Sequence, residues 1–203
     1  MAFSRFAART LAPLLAGALL LAPRPGAAAT DEEKAGARAA AVEGVKAYGE
    51  GRWADVVDMF SRAEALVHSP MHQLYIGRAN LKLGKLVLAR EALLKASRER
   101  VEADSPPAFQ RAKDEAAVEL ATLEPRIPYL TVKLEGGTSA EVTVTMDGAK
   151  VPAPLVGVPR PVDPGEHRFE ASGPGVSGQP LVVTVSEGER KSASLAVTVV
   201  AVP

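Results

Sequence analysis

The chain has 203 residues, 47% hydrophobic but only 4% aromatic, with 24 Lys and Arg balancing 24 Asp and Glu. That length holds one or two domains, and the apolar content excludes wholesale disorder while leaving a core mostly of Ala, Val and Leu. The charge balance argues against an electrostatic grip on nucleic acid, which needs a basic surface, and the lack of cysteine excludes disulfides, a thiolate nucleophile, a Cys-based zinc site and a lipid-modified N-terminal Cys.

Residues 1–29 have the layout of a secretory signal. Arg5 and Arg9 supply positive charge, Leu11 to Ala22 form a short apolar run, and Ala27-Ala28-Ala29 offers small residues for cleavage after Ala29. The run is too short for a spanning helix, which needs roughly 20 residues. No later segment is long and apolar enough to cross a bilayer, so the expected product is exported, without a transmembrane anchor, to the periplasm or cell surface. Residues 1–29 also hold Arg24 and no acid, which leaves the remainder with a formal charge of −3.

From residue 31 to 124 the chain is rich in Ala, Leu, Glu, Arg and Lys, all good helix formers. The boundaries predict helices over 31–50, 53–67, 70–83, 86–102 and 106–124. Thr30 with Glu33 reads as a capping box. Ser69-Pro70 and Ser105-Pro106 each place a capping Ser before a Pro at the first helical position. An interval of 33 residues relates Gly44 to Gly77, Gly51 to Gly84, Trp53 to Leu86, Val56 to Ala89, Phe60 to Leu93 and Ala63 to Ala96. Such a period marks stacked helical hairpins. The first glycine of each pair admits a close helix approach and the second permits a left-handed turn. The fifth helix has Gln110 and Ala117 where the glycines would fall, which suits a capping helix over the second hairpin's apolar face.

With Ala47, Tyr48 and Leu81 added to those positions, residues 36–100 resemble the tetratricopeptide repeat family. The closing Pro of each unit is replaced by His68 and Val101, and Glu43 stands where an apolar residue is usual. Two units are fewer than such folds ordinarily need, so the fifth helix or the segment beyond must complete the burial. The resemblance implies a concave groove lined by the first helix of each hairpin. Tyr48, Arg78 and Lys82 would face it, as candidate residues for binding an acidic or C-terminal peptide segment.

Glu124-Pro125-Arg126-Ile127-Pro128 ends the helical region. Beyond it, Val, Thr, Gly and Pro dominate and apolar residues alternate. Strands are predicted from Tyr129 to Leu134, Ala140 to Met146, Lys150 onward, His167 to Ala171, Leu181 to Val185 and Ala193 to Val199. Asp147-Gly148 and Asp163-Pro164-Gly165 supply turn chemistry between them. Short strands at this spacing predict a small antiparallel β-sandwich. On Val144, Met146, Asp147, Gly148, Pro154, Leu155, Pro164, Gly165, Glu166, His167 and Gly188, residues 129–200 resemble a PEGA domain, a β-sandwich module of bacterial envelope proteins. The resemblance makes His167 a structural turn residue. Three segments are thus expected: a signal peptide (1–29), a tetratricopeptide-like domain (30–125) and a PEGA-like domain (128–203).

No catalytic constellation emerges. Gly173 to Gly178 spells GxGxxG but lies between strands, without the helix that would face a phosphate. His68 and His72 have helical metal spacing, yet Ser69-Pro70 interrupts the helix and no third ligand follows, so both read as exposed turn histidines. Glu32-Glu33 and Asp114-Glu115 read as solvated pairs. The expected protein is a non-enzyme without metal or cofactor. Its expected role is as a protein-binding or scaffold component of the bacterial cell envelope, with cell-wall or surface polysaccharide as the alternative ligand of the β-sandwich.

Overall fold

The computed structural model describes residues 29–136 and 142–199. The predicted signal segment, apart from Ala29, lies outside the described residues, as does the start of the second predicted strand.

Among the described residues five helices come first: α1 Asp31–Gly49, α2 Trp53–Leu66, α3 Pro70–Lys82, α4 Leu86–Ser97 and α5 Pro107–Leu123. The Thr30 capping box forms in both directions, with Glu33 N–H on Thr30 Oγ1 at 3.2 Å and Thr30 N–H on Glu33 Oε2 at 2.6 Å. Ser69 caps α3 through the Met71 N–H, with Pro70 at the first helical position. The Ser105 expectation is corrected: Pro106 is the capping residue and α5 begins at Pro107. A residue before proline is pushed out of the helical region. Pro106 precedes a second proline, so it stays extended and the helix starts one residue later. The fourth helix also stops short of residue 102, at Ser97.

The 33-residue interval recurs in geometry. Gly51 (φ +71°) and Gly84 (φ +73°) turn the two hairpins through the left-handed region. Arg52 N–H bonds Ala47 O as Lys85 N–H bonds Asn80 O, both at 2.9 Å. Gly44 lies against the Phe60 ring and Gly77 against Leu93. A Cβ at either would sit 2.7 Å from those side chains. Val56, Phe60 and Ala63 are buried on α2, and their counterparts Ala89, Leu93 and Ala96 are buried on α4. Full burial of Phe60 or Leu93 contributes about 1.5–3 kcal/mol each. α5 packs on α3 and α4, placing Ala112, Ala116 and Leu123 in one core with Leu74, Leu86 and Leu93.

After a 3₁₀ turn at Glu124–Arg126 the described residues form nine strands: β1 Tyr129–Glu135, β2 Thr143–Met146, β3 Ala149–Val151, β4 Arg160–Pro161, β5 Gly165–Ser172, β6 Val176–Ser177, β7 Leu181–Val185, β8 Arg190–Ala196 and β9 Thr198–Val199. They pair as sheets β4-β1-β8 and β3-β2-β5-β7, with a small β6-β9 ribbon. Leu130, Val132 and Leu195 from the first sheet and Val144, Phe169 and Val183 from the second share one buried core. The Asp147-Gly148 hairpin has both central residues at positive φ, +52° and +80°, the twist that suits a two-residue connection. Two expectations need correction. The pairing is not antiparallel throughout, because β1 runs parallel to β8, from Tyr129 beside Arg190 to Glu135 beside Ala196. Parallel neighbours need a long crossover, and β2 to β7 provide it. The last predicted strand also divides at Val197, whose N–H turns to Glu135 O at 2.8 Å, after which β9 pairs with β6.

The helical and β regions touch at defined points. Ile127 and Tyr129 join the core beneath α3, α4 and α5. Asp163 Oδ1 accepts from Val87 N–H at 2.9 Å, at the start of α4, where no side chain of the helix's own capping residue does so. Gly188 N–H bonds Arg126 O at 2.7 Å. Arg126 makes a two-point pair with Glu187 at 2.8 and 3.0 Å. His167, within β5, joins the two turns: Nδ1 lies 2.7 Å from Asp147 Oδ2 and Nε2 lies 2.8 Å from Asp163 O. Among the described residues, no helix is long and apolar enough to cross a membrane.

Candidate functional site

The chain is poor in aromatics, yet four of them gather where the hairpins meet. Tyr75 on α3 stacks on Phe60 at 4.7 Å between centroids and meets Tyr48 of α1 edge-on at 5.1 Å. Tyr48 in turn meets Trp53 edge-on at 5.3 Å. Gly44 makes this possible, since only a bare Cα lets α1 come down onto the Phe60 ring.

Beside the ring stack a cleft of about 330 Å³ opens between α1 and α3. Ala41, Val42 and Val45 form one wall, Met71, His72 and Tyr75 the other, with Phe60 also lining it. α1 buries a stripe of small residues, Ala37, Gly44 and Ala47, so Val42 and Val45 are left 66% and 51% exposed along the opening. A second hollow of about 350 Å³ shares Ala41 and His72 with the first. It runs past Lys34 and Arg38 to the α2–α3 turn and to Pro106 and Phe109 before and on α5. Among the described residues no acid lines either hollow. Volumes of this size suit one or two apolar side chains of a partner.

Tyr48, Arg78 and Lys82 border the aromatic stack, and none of them lines the cleft. Tyr48 is half-buried in the ring stack. Lys82 is exposed, its ammonium 6.0 Å from the Trp53 ring. The Arg78 guanidinium lies 5.8 Å from the Tyr75 ring and is already held by α5, with Glu119 at 2.5 and 2.8 Å and Glu115 at 2.7 Å. Burial works against the Arg78 cation, but the hydrogen bonds to Glu119 and Glu115 outweigh it and hold its pKa above the ordinary value. Arg78 therefore braces α3 against α5 and has little charge to offer a peptide. Glu115, read as merely solvated, is one of its partners.

One histidine departs from expectation. His72 is buried within α3, whereas His68 is exposed as expected, though engaged at both ring nitrogens. Glu64 on α2 unites them. Its carboxylate lies 2.5 Å from His68 Nδ1 and 3.2 Å from His72 Nδ1, and it accepts from Ser69 N–H at 3.0 Å. Burial raises the Glu64 pKa, yet hydrogen bonds from His72, Gln73, His68 and Ser69 prevail and bring it to about 2. The proline between the histidines did break the helix, but the turn it created folds both rings onto one acid.

In the β region, a hollow of about 560 Å³ is lined by Glu135, Gly136, Ser177, Gly178, Gln179 and residues 196–198, without an aromatic ring. Phe169 is buried, and Tyr129 is half-buried beneath the Arg190 guanidinium at 4.6 Å. Among the described residues no buried side-chain polar atom lacks a hydrogen-bond partner, and no group of three metal-binding side chains converges.

No protein-family model matches the chain, and neither a curated protein nor a solved structure is significantly similar to it.

Proposed function

We propose that this chain is an exported, non-catalytic protein-binding component of the bacterial cell envelope, whose tetratricopeptide-like hairpins grip a segment of another protein while a PEGA-like β-sandwich serves as a rigid mount. One observation carries the binding assignment: the apolar cleft between α1 and α3, with Phe60 and Tyr75 lining it and the exposed Val42 and Val45 at its lip. An aqueous surface that leaves two valines uncovered beside a ready hollow gains free energy when a partner's apolar side chain covers them. The occupant is an extended or helical protein segment with an apolar anchor residue, as in other groove-binding modes. Sugar recognition by the β-sandwich has less support, since its described aromatic rings are covered.

Export rests on residues 1–29, and the α1 cap supports processing after Ala29. Thr30 supplies both the hydroxyl and the N–H of the capping box, so cleavage there leaves the cap whole.

The test is affinity capture from envelope extracts with the processed chain, its Val42→Asp/Val45→Asp variant and a Val118→Asp control at an exposed valine of α5. A partner retained by wild type and control but lost from the double variant supports the cleft. A partner retained equally by all three moves binding elsewhere.

A further inference from the structure

The α2–α3 turn borders the cleft's second hollow, and its chemistry goes beyond binding. His68 Nδ1 lies 2.5 Å from Glu64 Oε1, and its Nε2 lies 2.7 Å from Glu99 Oε2, just past the end of α4. A neutral imidazole has one donor and one acceptor nitrogen, whereas an ionised carboxylate only accepts. Two carboxylates facing the two nitrogens therefore require an N–H on each, and His68 is an imidazolium here.

Charged and titratable groups surround it from every side. α2 contributes Glu64, and α3 contributes His72. The segment after α4 contributes Glu99, whose backbone carbonyl accepts from Lys113 Nζ of α5 at 2.8 Å. α1 contributes Lys34 and Arg38 across the hollow. Glu64 is also anchored by Ser69 N–H and His72, while the Glu99 carboxylate has only His68 among the described side-chain contacts. When His68 loses a proton, Glu99 is thus the partner it releases.

We propose that His68 is a proton-operated latch on the partner cleft: protonated, it ties the α2–α3 turn to the end of α4 and holds the second hollow in shape; neutral, it frees the turn and weakens the grip on a bound segment. This rests on the cleft assignment above and adds its regulation. The Glu99 hydrogen bond, opposed by burial and aided by Glu64, raises the His68 pKa above its ordinary 6.5. A raised value means that the latch's stabilisation is full below 6.5 and is lost as pH rises through the higher folded-state value.

The experiment titrates the imidazole nitrogens of the whole processed chain by NMR from pH 5 to 9. In parallel it follows exchange of the Ser69 amide, corrected for the intrinsic pH dependence. The expected result is a His68 midpoint above 6.5, with protection falling about tenfold for each unit of that excess. Glu99→Gln lowers the midpoint and shrinks the step, and His68→Gln abolishes the step. A wild-type midpoint at or below 6.5, or one that Glu99→Gln leaves unmoved, overturns the latch. A partner affinity that is flat across a step present in the exchange data overturns its coupling to the cleft. Neither imidazole titration nor exchange uses a partner, so loss of the Val42/Val45 result leaves both readable.

Discussion

At Gly44 and Gly77 the absent side chain is what the structure uses, because the facing helix fills its space. Gly77→Ala pushes a methyl to 2.7 Å from Leu93 Cγ in a closed core. Overpacking of this kind costs about 1–3 kcal/mol. Gly84→Ala meets no atom, and its cost of about 1–2 kcal/mol comes from the left-handed backbone alone. Urea unfolding should show a Gly77→Ala loss that Leu93→Val partly relieves, whereas Leu93→Val should give Gly84→Ala no relief. The glycine positions were legible because a fixed interval repeats them. The meeting of His68 with Glu99 was not, since the two are 31 residues apart and nothing local announces it. Glu64 carries its own prediction. Its folded-state pKa is about 2 against an ordinary 4.5, so its stabilisation is present above 4.5 and is lost as pH falls toward 2. Unfolding midpoints measured from pH 6 to 2.5 should drop more steeply for wild type than for Glu64→Gln.

Among the elements, α5 turns two hairpins into a closed helical unit. Its buried face is Ala112, Ala116 and Leu123, and Glu115 and Glu119 secure Arg78 from the next turns. Ala116 is wholly buried, so Ala116→Leu has no room and should lower stability by about 1–3 kcal/mol by calorimetry. Val118→Leu, on the exposed face of the same helix, should be neutral. Sequence indicated a covering helix here because the repeat's glycines are missing, yet it could not say which charges α5 would present. The strands divide in the same way. Leu181–Val185 follows the predicted alternation residue for residue. Alternation assigns faces but not neighbours, so the parallel β1–β8 pairing and the break at Val197 were invisible.

Across the whole molecule, the two regions share backbone and side-chain contacts in addition to their covalent link. Asp163 caps α4 from the β region, a role worth about 0.5–2 kcal/mol. The half-exposed Arg126–Glu187 pair adds about 0–1 kcal/mol. Trp53 is the chain's one tryptophan and lies in the helical region. Asp163→Ala, a change in the β region, should therefore lower the denaturation midpoint read from Trp53 fluorescence. An unchanged midpoint would show that the regions unfold without sensing each other. The parallel ladder has a consequence for synthesis. The helices are joined by near neighbours and can assemble as soon as residue 123 is free. β1, the first strand to emerge, must wait for β8 to fill its open edge. Until then Leu130 and Val132 have no complete core to enter, and that interval is when the nascent chain most needs a chaperone's protection against aggregation.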